Sequence, residues 1–221
     1  MAATDPTSAL KVTPQDLENM KQPNAPAAVA HIVFKTPRPE AMAQWYGKVL
    51  DAIVTFQDRR LTFLTYDNEH HRIALIRTPA LLKIPGQLWR LHRKFWGVDH
   101  IAFTYPTLKA LTTNYLRLAN SGIYPVWCIN HGPTTSMYYE DPDGNRLELQ
   151  VDNFIDNEDL LNWLEGGEFA DNPIGVEFDP DELARLVDSD VPTAELVRRG
   201  SAPPCGRQPR AGTRTIRWKT L

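Results

Sequence analysis

The chain repeats itself. VAHIVFKT (Val29–Thr36) and VDHIAFTY (Val98–Tyr105) share one pattern, and His31 and His100 hold the same place in each. Both runs are β-prone, and each is followed by a segment of helical spacing. The first is Pro37–Leu50, with Met42, Trp45, Tyr46, Val49 and Leu50 on one face; the second is Pro106–Asn120, with Gly122 as its C-terminal cap. Three further β-prone runs complete each copy: Ala52–Phe56, Arg60–Tyr66 and Arg72–Thr78, then Tyr124–Ile129, Thr134–Glu140 and Asn145–Val151. The order is β-α-β-β-β, twice. HRIALI (His71–Ile76) aligns with NRLELQ (Asn145–Gln150), so Ala74 corresponds to Glu148. A duplicated module of this kind predicts an α+β fold in which two βαβββ units form a cupped, barrel-like mixed sheet.

The last two strands of the second copy meet at Asp141-Pro142-Asp143-Gly144. Proline presets φ and glycine accepts φ > 0, so this is the tip of a β-hairpin. On the second strand Leu147, Leu149 and Val151 share one face by the period of two, and Glu148 falls on the other. A single histidine in such a fold is more often a core or edge residue than a ligand. Two at matched repeat positions, with a mid-strand glutamate, reverse that expectation. Two imidazoles and one carboxylate with open coordination positions favour non-haem Fe(II), and Mn(II) accepts the same donors.

Ile129–Glu148, INHGPTTSMYYEDPDGNRLE, resembles the signature of the type I extradiol ring-cleavage dioxygenases. The elements of the match are His131, Met137, Tyr138, Pro142, Gly144 and Glu148. More widely, Val29–Val151 looks like the vicinal oxygen chelate superfamily, built from paired βαβββ modules. With one pair rather than two, the chain resembles the compact one-domain members, of the biphenyl-2,3-diol 1,2-dioxygenase kind. The resemblance implies three metal ligands, His31, His100 and Glu148. It implies that His71, with His70 in reserve, stabilises and protonates the oxygen-derived species. His131 and Tyr138 would hydrogen-bond the oxygens of a catechol-like substrate cleaved with O2. Tyr139, on the opposite strand face, should matter much less. Related folds also carry metal-dependent isomerase, lyase or cyclase chemistry, or bind small molecules without turnover.

Composition bounds the remainder. With 42% hydrophobic and 23% charged residues in 221, one globular domain with appendages is expected. A net charge of −3 gives no reason to expect nucleic acid or an anionic membrane as partner. Two cysteines, Cys128 and Cys205, do not make a disulfide framework. No signal-peptide core or membrane span is legible, so the reading is a cytoplasmic enzyme that forms a homo-oligomer, dimer or larger.

The domain is placed at 29–151, with modules 29–78 and 97–151 and a linker 79–96. Trp89, Phe95 and Trp96 in that linker could roof an aromatic pocket or simply join the core. Residues 1–28 form an N-terminal extension, with a short helix over Pro14–Met20. Residues 152–197 are acidic and helical, with fourteen acids from Asp152 to Glu195 against Arg185 alone. Helices are expected over Asn157–Glu168, docking on the barrel or on a second subunit through Leu160, Leu161, Trp163 and Leu164, and over Asp179–Asp190, with Asp179 as N-cap and Pro180 first. Residues 198–221 read as a basic, mobile tail.

Overall fold

The computed structural model describes residues 26, 28–79, 97–189 and 191–204. Pro14–Met20, the three linker aromatics, Cys205 and the rest of the tail lie outside the described residues. Each module builds the expected elements. The first holds β1 (Ile32–Thr36), α1 (Pro39–Val49), β2 (Ile53–Gln57), β3 (Leu61–Thr65) and β4 (Ile73–Arg77). The second holds β5 (Ile101–Thr104), α2 (Leu108–Asn120), β6 (Trp127–Asn130), β7 (Thr134–Glu140) and β8 (Arg146–Asp152). Beyond these come α3 (Asn157–Glu165), α4 (Glu168–Asp171), β9 (Val176–Glu177), α5 (Pro180–Val187) and α6 (Thr193–Leu196).

The sheets are ordered β1-β4-β3-β2 and β5-β8-β7-β6-β9. In both, the first strand runs parallel to the last strand of its module, and the remaining pairs are antiparallel. The fold is therefore α+β with two mixed sheets, one per module, and no closed barrel. His31 and His100 stand one residue ahead of the strands expected to contain them. The β1–β4 ladder begins only at Ile32 opposite Ile73. Upstream of it, Arg72 Nη1 donates to the carbonyls of Val29 and Ala30 at 3.1 and 3.0 Å in place of strand partners. β6 starts at Trp127 rather than Tyr124, in keeping with Pro125, which has no N–H to offer a ladder.

α1 carries proline at its first turn and buries Met42, Ala43, Tyr46 and Val49. α2 is capped by Thr107, whose Oγ1 accepts from Ala110 N at 3.0 Å. It closes at Gly122, whose φ of +75° lets its N–H reach the Ala119 carbonyl while Ile123 N–H reaches Leu118. The two modules lock together through these helices and the hairpin tip. Tyr46 donates to Asp141 Oδ2 at 3.1 Å, Arg38 pairs with Asp143, and Asn114 and Arg117 donate to the carbonyls of Val49 and Lys48.

The acidic extension packs on the second module, where Trp163 of α3 meets Gly132. α3 buries none of its side chains and stops at Glu165, because Gly166–Gly167 breaks the helix. The docked helix is α5, capped by Asp179 Oδ1 on the N–H groups of Asp181 and Glu182. Its Leu183 and Ala184 join Phe178, Leu196 and Ala202 in the core over α2. A buried leucine of this kind stabilises by about 2 kcal/mol, enough to hold a short helix in place. Ala202 also accepts from Asp179 N–H at 2.9 Å, so the stretch read as the start of a loose tail belongs to the fold. β9, without a sequence signal at two residues, adds a fifth strand beside β6. Gly175 before it has φ +114°, and a Cβ there would lie 2.3 Å from the Asn130 carbonyl oxygen, so only glycine permits this approach.

Candidate active site

β7 and β8 pair so that Tyr138 faces Glu148 and Tyr139 faces Leu147. Alternation then separates the tyrosines. Tyr139 is buried in the core with Met137 and Leu149, and Tyr138 shares its face with Glu148 and the Trp127 ring, 5.0 Å away. Glu148 is only 5% exposed, which a carboxylate tolerates only when it is paired. Its partner is His100, whose Nε2 lies 3.0 Å from Glu148 Oε2. The His100 Nδ1 in turn meets Asp99 Oδ2 at 2.8 Å, which fixes the ring and aims Nε2 at the glutamate.

The electrostatics follow from this packing. The hydrogen bond to Glu148 raises the His100 pKa to about 9, against the opposing effect of burial, with Asp99 adding to it. For Glu148 burial alone would push the carboxyl up; hydrogen bonds from His100, Ser136 and Tyr138 outweigh it and hold the carboxyl below its usual range. Burial and the Glu148 charge push the Tyr138 hydroxyl up, so it keeps its proton and acts as a donor.

His131 joins the same group. Its Nε2 lies 3.0 Å from the Tyr138 hydroxyl, and its Nδ1 donates to the Ile174 carbonyl at 2.5 Å. A carbonyl only accepts, so Nδ1 carries a proton, and the Tyr138 hydroxyl, with one proton to give, stands between His131 Nε2 and Glu148. His100, Glu148, Tyr138 and His131 thus form one connected group on the second module.

His31 and His71 form another group on the first module. Their rings lie 4.6 Å apart, and His71 stacks on Phe63 at 4.3 Å, with His70 edge-on at 4.3 Å. Burial first, then the charges of His70 and His31, push the His71 pKa down. Its Nδ1 is buried without a hydrogen-bond partner among the described residues. His70 is the outward member of the pair, bonded to Glu69. Among the described residues no three His, Cys, Asp or Glu side chains group closely enough to hold a metal ion, so His31 is not brought onto the His100–Glu148 pair.

Four participants carried no clear signal in the sequence. Asp99 could have been found from its place beside His100. Trp127, Ile174 and Arg199 could not, because nothing in their local sequence distinguishes them. Arg199 Nη2 donates to the His131 carbonyl from 68 residues away. Cys128 is buried and free, and among the described residues no helix is long and apolar enough to cross a membrane.

Two βαβββ modules, with this site on the second, coincide with a known family. Residues 28–149 match the model of the Glyoxalase/Bleomycin resistance protein/Dioxygenase superfamily, and the chain belongs to it. It is 42% identical over 170 residues to biphenyl-2,3-diol 1,2-dioxygenase 2 of Rhodococcus globerulus, covering 76% of this chain and 85% of that one. Biphenyl-2,3-diol 1,2-dioxygenase 3 of the same organism is also 42% identical, over 174 residues, covering 79% and 89%. Catechol-2,3-dioxygenase of Bacillus subtilis (strain 168) is 29% identical over 116 residues, covering 51% of this chain and 37% of that one.

Proposed function

We propose that the protein is an Fe(II)-dependent extradiol dioxygenase that opens a catechol-like ring beside its two hydroxyls with O2. The observation that carries this reading is the row His100–Glu148–Tyr138–His131. It sets a half-buried imidazole against a buried carboxylate, with the nitrogen and oxygen donors 3.0 Å apart, beside a second pair that could bond phenolic oxygens. The relatives named as biphenyl-2,3-diol dioxygenases support it and point to a biaryl diol as the first substrate to try.

The residues fit a divalent metal. His100 offers Nε2, oriented through Asp99, and Glu148 offers a carboxylate held ionised in a buried place. His31 is the third ligand that the family resemblance implies; it stands apart from the pair in the structure and would have to approach it from the first module. Bound by these three, Fe(II) or Mn(II) would lower the pKa of a catechol hydroxyl and serve as template and electron conduit for the diol and O2.

The chain's own groups do the rest. The Tyr138 hydroxyl keeps its proton and donates to a substrate oxygen. The Nε2 of His131, which faces the Tyr138 hydroxyl at 3.0 Å, can accept the proton of a diol hydroxyl. His71, whose pKa burial pushes down and whose Nδ1 has no partner among the described residues, can take up a proton and return it to an oxygen on the opened ring. The apolar faces of Trp127 and Phe63 exclude water around these transfers.

The test is anaerobic loading with iron, then 2,3-dihydroxybiphenyl, then air. Oxygen uptake with a yellow ring-opened product, both lost in Glu148→Ala, is the expected result. Iron bound without uptake across a panel of catechols would turn the reading to non-oxidative chemistry, and failure to bind metal would remove the ligand assignment.

A further inference from the structure

We propose that the acidic extension positions His131, with Arg199 and Trp163 as its working residues. This inference rests on the assignment of His131 to the reaction. His131 follows β6; its N–H is held by the Thr134 carbonyl within the second module, while its Nδ1 and its own carbonyl are held from beyond residue 152. Ile174 supplies the carbonyl that takes the Nδ1 proton. Arg199 Nη2 donates to the His131 backbone carbonyl, and Nη1 to the Glu168 carbonyl at 3.3 Å.

The Arg199 guanidinium lies 4.7 Å from the Trp163 ring centroid, close enough for a cation–π contact. The indole Nε1 donates to Glu168 Oε2 at 3.1 Å, so the tryptophan cannot swing away freely. Below it lies Gly132, the residue after His131. A Cβ on Gly132 would fall 2.2 Å from Trp163 Cη2, and its φ of +101° suits glycine. Trp163 therefore presses directly on the loop that carries His131. Asn130 and Asn153 tie the same loop from the other side, through bonds to Gly132 N–H at 2.8 Å and the Gly132 carbonyl at 2.7 Å.

The consequence is chemical as well as mechanical. While Ile174 holds the Nδ1 proton, the lone pair of His131 is fixed on Nε2, toward Tyr138. If the loop drifts, the Ile174 bond breaks, either nitrogen can carry the proton, and part of the population presents a donor where an acceptor is required. Arg199 touches neither substrate nor metal in this scheme. It is a positioning residue, and it acts through His131.

The experiment compares wild type, Arg199→Met, Arg199→Lys and His131→Ala as full-length chains. Imidazole 15N NMR on the metal-free proteins reads the tautomer, and steady-state kinetics on the iron-loaded proteins reads turnover of 2,3-dihydroxybiphenyl. Wild type should show His131 with its proton on Nδ1 alone. Arg199→Met should show a mixture of tautomers, with kcat reduced roughly 10- to 100-fold and KM unchanged, as expected for a misplaced group. Arg199→Lys should recover part of kcat.

A wild-type tautomer and wild-type kcat in Arg199→Met would overturn the inference. His131→Ala separates the two levels. Full turnover in that variant removes the role of His131 itself, and lost turnover there beside full turnover in Arg199→Met removes only the positioning role. If Arg199→Met does not fold, Trp163→Phe, which shrinks the platform under the guanidinium, takes its place with the same two readouts and the same overturning result.

Discussion

Tyr138 and Glu148 stand directly opposite each other across the β7–β8 ladder, and Tyr139 stands opposite Leu147. A one-residue slip would exchange the two tyrosines. Tyr138→Phe should therefore lower turnover by about 100-fold, the usual scale for losing a positioned proton donor. Tyr139→Phe should leave turnover near wild type and change stability by at most about 1 kcal/mol. Steady-state kinetics and thermal melts on both variants check this. A larger kinetic effect at Tyr139 would mean that the register is not the one described.

How much of this was legible beforehand depends on the range of the interaction. The module order, the hairpin at Asp141–Gly144, the Asp179 cap and the placing of Glu148 opposite the Leu147–Leu149 face all follow from periods of two and 3.6 and from turn chemistry, which act over a few residues. The pairing of Tyr138 with His131 could be expected from the family resemblance. The bracing of His131 could not. Ile174 and Arg199 are 43 and 68 residues distant, and their contributions are a backbone carbonyl and an arginine in a segment that reads as a tail. Of the apolar residues of α3, Trp163 does meet the second module, at Gly132, but the buried leucine comes from α5.

The His100–Glu148 pair predicts a pH window for the stability of the metal-free protein. His100 has its folded pKa raised from 6.5 to about 9, so its contribution is complete below pH 6.5 and is lost as pH rises through about 9. Glu148 has its pKa lowered from 4.5, so its contribution is complete above pH 4.5 and is lost as pH falls through the lower folded value. The difference in Tm between wild type and Glu148→Gln should be greatest from pH 4.5 to 6.5 and shrink toward pH 9. A difference that does not vary with pH would mean that the pair is not ionised.

The two modules are joined within one chain by Tyr46–Asp141, Arg38–Asp143 and the bonds from Asn114 and Arg117. These contacts hold the modules of one chain together, so the His31 that completes the proposed site should come from the same chain as the pair, although it stands apart from the pair in the structure. Mixing inactive His31→Ala protein with inactive Glu148→Ala protein, with refolding to allow exchange, should restore no oxygen uptake. Recovery toward a quarter or more of wild-type turnover, about the share of two-variant pairings that carry an intact site, would place the site across two chains.

The central claim is that both atoms of O2 enter the ring beside the diol at the site organised by His100 and Glu148. The most direct measurement is a single turnover of iron-loaded protein with 2,3-dihydroxybiphenyl under 18O2, with the product read by mass spectrometry. The account predicts a ring-opened product carrying two labelled oxygen atoms before exchange with water, and no such product from Glu148→Ala. Unlabelled product, or product formed equally well without O2, would contradict it.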